Sequence, residues 1–153
     1  MLYPPGAKVH QAVALQLPNN APTAINFGVA THPDDYDPDD FFNTATPTRL
    51  TPNVEGYYDA GGIVHLESNA SYTIIAAAIA KNGQPVAGRG DRRGESTATG
   101  ARSASAQARW VYMNGSTDYF ELLGEQVSGA ARNLLVAGSQ VSMLWCRLVR
   151  LPD

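Results

Sequence analysis

The tightest constraint on this chain is how often it is broken. Glycine, proline and asparagine recur so densely that the stretches between them run to about 6 to 12 residues, the spacing of short strands in a sandwich or barrel. Inside those stretches apolar and polar residues alternate, and a period of two places every second side chain on one face of a strand. Lys8 to Leu17 carries Val9, Gln11, Val13 and Leu15 on one side and stops at Pro18-Asn19-Asn20. Thr23 to Val29 pairs Ile25 with Phe27. Residues 31 to 47 are polar and proline-punctuated, which predicts a long loop.

Period two resumes over Tyr57 to Ser68, with Gly61-Gly62 marking a bulge. Tyr72 to Ala80 is apolar enough for a strand covered on both faces, and Lys81-Asn82-Gly83-Gln84 predicts a tight hairpin returning through Pro85 to Gly88. Residues 88 to 102 read as a second loop. Alternation returns over Ser103 to Met113; the alanines and arginines of Ala98 to Arg109 favour a helix, but Gly100, three serine or threonine positions and the lack of an apolar stripe beyond alanine favour a strand there. Asn114-Gly115-Ser116-Thr117 then predicts another hairpin into Asp118 to Gln126, with Phe120 and Leu122 on one face. Asn133 to Ala137 suggests a short strand. The last strand, within Gly138 to Leu151, turns Val141, Met143, Trp145 and Leu148 to the core. Eight to ten strands result, in an all-β domain.

Composition narrows the function. The chain has 153 residues, of which 44% are hydrophobic, so an ordinary single-domain core is within reach. Charged residues make up 16% and the net charge is -3, which excludes charge-driven disorder and argues against a duplex nucleic-acid partner, since that selects a basic face. The longest apolar run, Ile74 to Ala80, is far short of the ~20 residues that cross a bilayer, and the opening Met1-Leu2-Tyr3-Pro4-Pro5-Gly6 lacks a secretory pattern. A protein made in the cytoplasm without membrane contact is expected. The single cysteine, Cys146, lies in Met143-Leu144-Trp145-Cys146 and reads as a buried, inert thiol.

The order of segments resembles a known family. Leu17-Pro18-Asn19-Asn20-Ala21-Pro22-Thr23-Ala24-Ile25-Asn26-Phe27, then Arg49-Leu50-Thr51-Pro52 leading to Gly56-Tyr57-Tyr58, the Lys81-Asn82-Gly83 hairpin and the closing Gly138-Ser139-Gln140-Val141-Ser142-Met143-Leu144-Trp145 look like the globular head of complement and tumour-necrosis-factor-like proteins. The resemblance spans most of residues 8 to 150 and is greatest to versions in bacteriophage virions. It implies a jelly-roll β-sandwich of about ten antiparallel strands that associates as a homotrimer, with residues 8–153 as the single domain and 1–7 as an N-terminal arm.

No chemistry stands out. Asp34, Asp35, Asp37, Asp39 and Asp40 crowd one loop, and Asp35, Asp37 and Asp39 match the first, third and fifth ligands of a calcium loop. Asp40 replaces the glycine needed at the sixth position and Thr46 the glutamate at the twelfth, so a solvated or partner-facing acidic loop is the expectation and calcium the secondary reading. Residues 1 to 60 hold seven acidic and two basic residues, residues 61 to 153 seven and nine, an asymmetry suited to contacts between neighbouring copies or with another protein. His10, His32 and His65 are far apart with no metal-ligand spacing, and no nucleophile motif is present, so neither an enzyme nor a cofactor is expected. Arg89-Gly90-Asp91 is a chance cell-attachment match in an arginine-rich loop, and Asn69-Ala70-Ser71 and Asn114-Gly115-Ser116 are glycosylation patterns that matter only on secretion.

The functional expectation is a structural virion protein, a trimeric decoration protein on the outside of a phage head. Leu2, Tyr3, Pro4 and Pro5 would attach it to the major capsid protein or another virion protein, and Tyr58, Tyr112, Tyr119 and Trp145 would face the trimer. The alternative is the receptor-binding tip of a tail or head fibre, recognising a host glycan or protein through loops 31–47 and 88–102.

Overall fold

A computed structural model describes residues 3–93, 102–136 and 138–153. Ten strands cross them: β1 (Gly6–His10), β2 (Gln16–Leu17), β3 (Thr23–Ala24), β4 (Glu55–Leu66), β5 (Ile74–Lys81), β6 (Gln84–Arg93), β7 (Arg102–Asn114), β8 (Phe120–Val127), β9 (Arg132–Asn133) and β10 (Met143–Arg150). One four-stranded sheet runs β1-β10-β4-β7, the other β3-β8-β5-β6, and β2 pairs with β9 in a short ribbon. Every strand pairing is antiparallel. Among the described residues there is no helix, so none is long and apolar enough to cross a membrane.

The two sheets close over one core. From the first come Val9, Leu144, Tyr58 and Val64, and from the second Ile75, Ile79, Phe120 and Leu122, all at most 4% exposed. Fully burying side chains of this size contributes roughly 1.5 to 3 kcal/mol each. Ala104, Ala106 and Ala108 line the inner face of β7, and their small size fits the close approach of β5 and β6. Ile25 and Phe27 are both buried as the alternation requires, although regular pairing in that segment stops at Ala24. The hairpin at Lys81-Asn82-Gly83-Gln84 forms as read: Lys81 faces Gln84, and Asn82 and Gly83 adopt φ of 52° and 78°, the left-handed pair that a two-residue turn between twisted strands needs.

Several expectations change. The first strand begins at Gly6, two residues before Lys8, and its alternation breaks after His10 where Gln11 to Leu15 leave the sheet. Asn114 to Thr117 does not make a hairpin: β7 pairs with β4 and β8 with β5, so the turn carries the chain from one sheet to the other. Part of the expected 88–102 loop is strand, since β6 runs to Arg93 with Arg89-Gly90-Asp91 inside it; residues 94–101 lie outside the described ones. On β10 Leu144 and Cys146 are in the core and Leu148 packs against it as expected, whereas Met143 and Trp145 point to the other face. A strand apolar on both faces cannot reveal by alternation which face is the core. β5 is half-covered at Ile74, Ala76 and Ala78 rather than buried on both sides.

Candidate assembly face and loop-capped edge

The outer face of the β1-β10-β4-β7 sheet carries an aromatic patch. On β4, Tyr57 stands opposite Tyr112 of β7, with ring centroids 5.6 Å apart, and its ring lies 6.2 Å from that of Trp110. Trp110 is 56% exposed and Tyr112 39%, high values for large rings. A bulge aims Trp110. Tyr58 faces Val111 and Ala60 faces Ala108, so Asp59 alone opposes both Arg109 and Trp110. Trp110 absorbs the extra residue with a φ of 56°, a left-handed conformation that costs an L residue roughly 1 to 2 kcal/mol, and its N–H donates to the Asp59 carboxylate at 3.1 Å. Further along the same face, Trp145 is half-buried opposite Gly61. No register shift falls at Gly61-Gly62; the bulge is at Asp59.

Of the residues named from sequence for the trimer contact, Tyr112 and Trp145 are on this outer face. Tyr58 is not. It is 0% exposed, its ring packs edge-on to Phe41 and Phe120, its hydroxyl donates to the Val54 carbonyl at 2.9 Å, and burial pushes the phenol far up from its usual value. Its neighbour Tyr57 holds the outward position. Tyr119 sits just before β8 of the other sheet, half-buried beneath the Arg49 guanidinium 3.9 Å above its ring.

Beside the patch, Tyr3 and Pro4 are exposed and, with Ala7, Tyr36, Trp145 and the stem of Arg147, line an apolar groove of about 380 Å³. Pro5 is already tied to the sheet, because its carbonyl accepts the Leu148 amide at 2.8 Å. Leu2 lies outside the described residues.

The acidic loop does structural work that the sequence does not announce. β1 is an edge strand, and its outward amides would be open to pairing with another chain. Lys8 and Tyr36 exchange backbone bonds of 2.6 and 2.9 Å, while the His10 N–H donates to Asp35 at 2.8 Å and the Gly6 N–H to Asp39 at 3.4 Å. The loop thus caps alternate amides along the edge, Gly6 and His10 with carboxylates and Lys8 with the Tyr36 carbonyl. Asp37 accepts the Phe41 and Phe42 amides, both at 2.8 Å, although burial, the larger influence, pushes its carboxyl up. Asp35, Asp37 and Asp39 are half-buried and accept amides from separate backbone segments, while Asp34 and Asp40 of the same loop remain exposed.

The loop also brings together histidines that the sequence keeps 22 positions apart. The His10 and His32 rings stack with centroids 4.0 Å apart, and His10 Nδ1 lies 2.8 Å from the Asp35 carboxylate. Cys146 is buried, and burial drives its thiol up to about 12, so it is no nucleophile at neutral pH.

The two sheets, their strand orders and the crossings between them define a jelly-roll β-sandwich of the tumour-necrosis-factor-like type. A solved structure described as Eiger TNF from S. frugiperda is similar, with a TM-score of 0.62 over 99% of this chain and 97% of that one at 11% identity. No protein-family profile matches the chain, and no curated protein does. At that identity the likeness shows the fold alone.

Proposed function

We propose that the protein is a non-enzymatic structural subunit that assembles as a homotrimer through the outer face of the β1-β10-β4-β7 sheet and decorates the outer surface of a bacteriophage head. The observation that carries the assembly is Trp110: a bulge and a left-handed backbone hold a large ring 56% exposed beside Tyr57 and Tyr112. Strained backbone persists where surrounding structure enforces it, and contiguous exposed aromatics mark surfaces that bind protein.

Attachment to the shell runs through Tyr3 and Pro4 with the adjoining Leu2. Tyr3 is 71% exposed next to an apolar groove, and three such anchors beneath one trimer would add their weak contacts. The tightly capped β1 edge supports a protein that meets its partners through side-chain surfaces and not by adding strands.

The test is the number of copies in purified particles. Hundreds per particle support head decoration, a few tens or fewer favour the receptor-binding tip of a fibre, and absence from particles overturns both.

A further inference from the structure

We infer that His10, His32 and Asp35 form a binding site for a divalent transition-metal ion of the zinc type, which fastens the 31–47 loop to the edge of β1. Their ligand atoms all lie within 4.8 Å of one another. A point common to all three therefore falls within about 1 Å of the ~2.0 to 2.2 Å at which imidazole nitrogen and carboxylate oxygen bind zinc.

The donor set fits that class of ion. Two imidazoles and one carboxylate suit borderline divalent metals, whereas calcium takes six to eight oxygens. The group is also held in place. His10 stands at the end of β1 with 8% of its surface exposed, its ring 2.8 Å from Asp35 Oδ1. The second oxygen of Asp35 accepts the His32 amide at 2.8 Å, so one carboxylate orients both histidines. His32 Nδ1 accepts the Asp34 amide at 3.1 Å, which leaves Nε2 as its unengaged ring nitrogen.

The group opens onto a cavity that a ligand could enter. His10, His32, Met143 and a third imidazole, His65, line one cavity of about 350 Å³. In the adjoining cavity, lined by His32 and Gln11, the Gln11 side-chain oxygen is buried without a hydrogen-bond partner among the described residues. The site is distinct from the aromatic patch and does not depend on the proposed function.

The experiment is titration of metal-stripped full-length protein with zinc chloride, followed by calorimetry, melting and NMR of the imidazole signals. Zinc should bind at one site per chain with a dissociation constant of about 10 µM or tighter, and raise the melting temperature by about 5 to 10 °C at 100-fold excess over that constant. Calcium at the same concentrations should do neither. His32→Ala, whose ring is partly exposed, should weaken zinc at least tenfold while the strand signal in circular dichroism is kept. In the wild type the His10 and His32 resonances should shift together, which needs no variant to fold. Zinc binding weaker than about 10 µM, undiminished binding in His32→Ala, or shifts confined to other histidines would overturn the site.

Discussion

The indole of Trp145 occupies the space where a side chain on Gly61 would stand. The two residues are paired across β10 and β4, and a Cβ added to Gly61 would lie 2.6 Å from Cζ2 and 2.9 Å from Nε1 of the ring. Gly61 is therefore the seat of an aromatic on the proposed assembly face. Gly61→Val should push the indole off the sheet and cost roughly 1 to 3 kcal/mol by overpacking. Urea unfolding followed by tryptophan fluorescence measures both effects.

Trp110 separates assembly from folding. Because its backbone is left-handed and its ring is outside the core, Trp110→Gly should leave the unfolding free energy of the isolated protomer within about 1 kcal/mol of wild type, strain relief offsetting the glycine's entropy. The same change, combined with Tyr112→Ser, should dissociate the trimer in sedimentation velocity. Tyr58→Ala, in the core, should instead cost about 3 to 5 kcal/mol and lower stability whatever the oligomeric state.

Asp118 supplies the pH dependence. Burial acts to raise its pKa, but the Asn82 amide, the Lys81 ammonium and the Asn114 N–H together hold it below the ordinary carboxylate value. A carboxyl whose pKa is lower folded than unfolded adds stability above about pH 4 and loses it as pH falls through the folded value. Asp118→Asn should cost about 1 to 3 kcal/mol at pH 7 and flatten the acid limb of the stability curve, read by denaturant melts from pH 7 to pH 2.

Attachment can be tested without damaging the sheet. Gly6 and Ala7 belong to β1, and Ala7 is 3% exposed, so removing residues 1 to 7 would cut into the fold. Deleting residues 1 to 4 should leave a folded trimer that no longer loads onto particles lacking the protein. Full occupancy by the truncated chain would move attachment to the sandwich surface.

Much of the architecture was legible because its signals are local. Asn82-Gly83 can be read as a two-residue turn because both positions need positive φ. Even the bulge leaves a mark: the buried parity of β7 switches from Ala104, Ala106 and Ala108 to Val111 and Met113. What failed depends on partners distant in sequence. Asn114-Gly115 signals a reversal but not which sheet the next strand joins, and Met143 and Trp145 alternate as well toward an assembly face as toward a core. The His10–His32–Asp35 group had no sequence signal at all, since only the loop that covers the β1 edge brings it together.

Assembly of a homotrimer through the aromatic face of the β1-β10-β4-β7 sheet is open to direct measurement. Multi-angle light scattering of the purified chain at micromolar concentration measures it directly. A trimer built on this face gives a single species of three times 16.3 kDa, and a stable species of 16.3 kDa would rule it out.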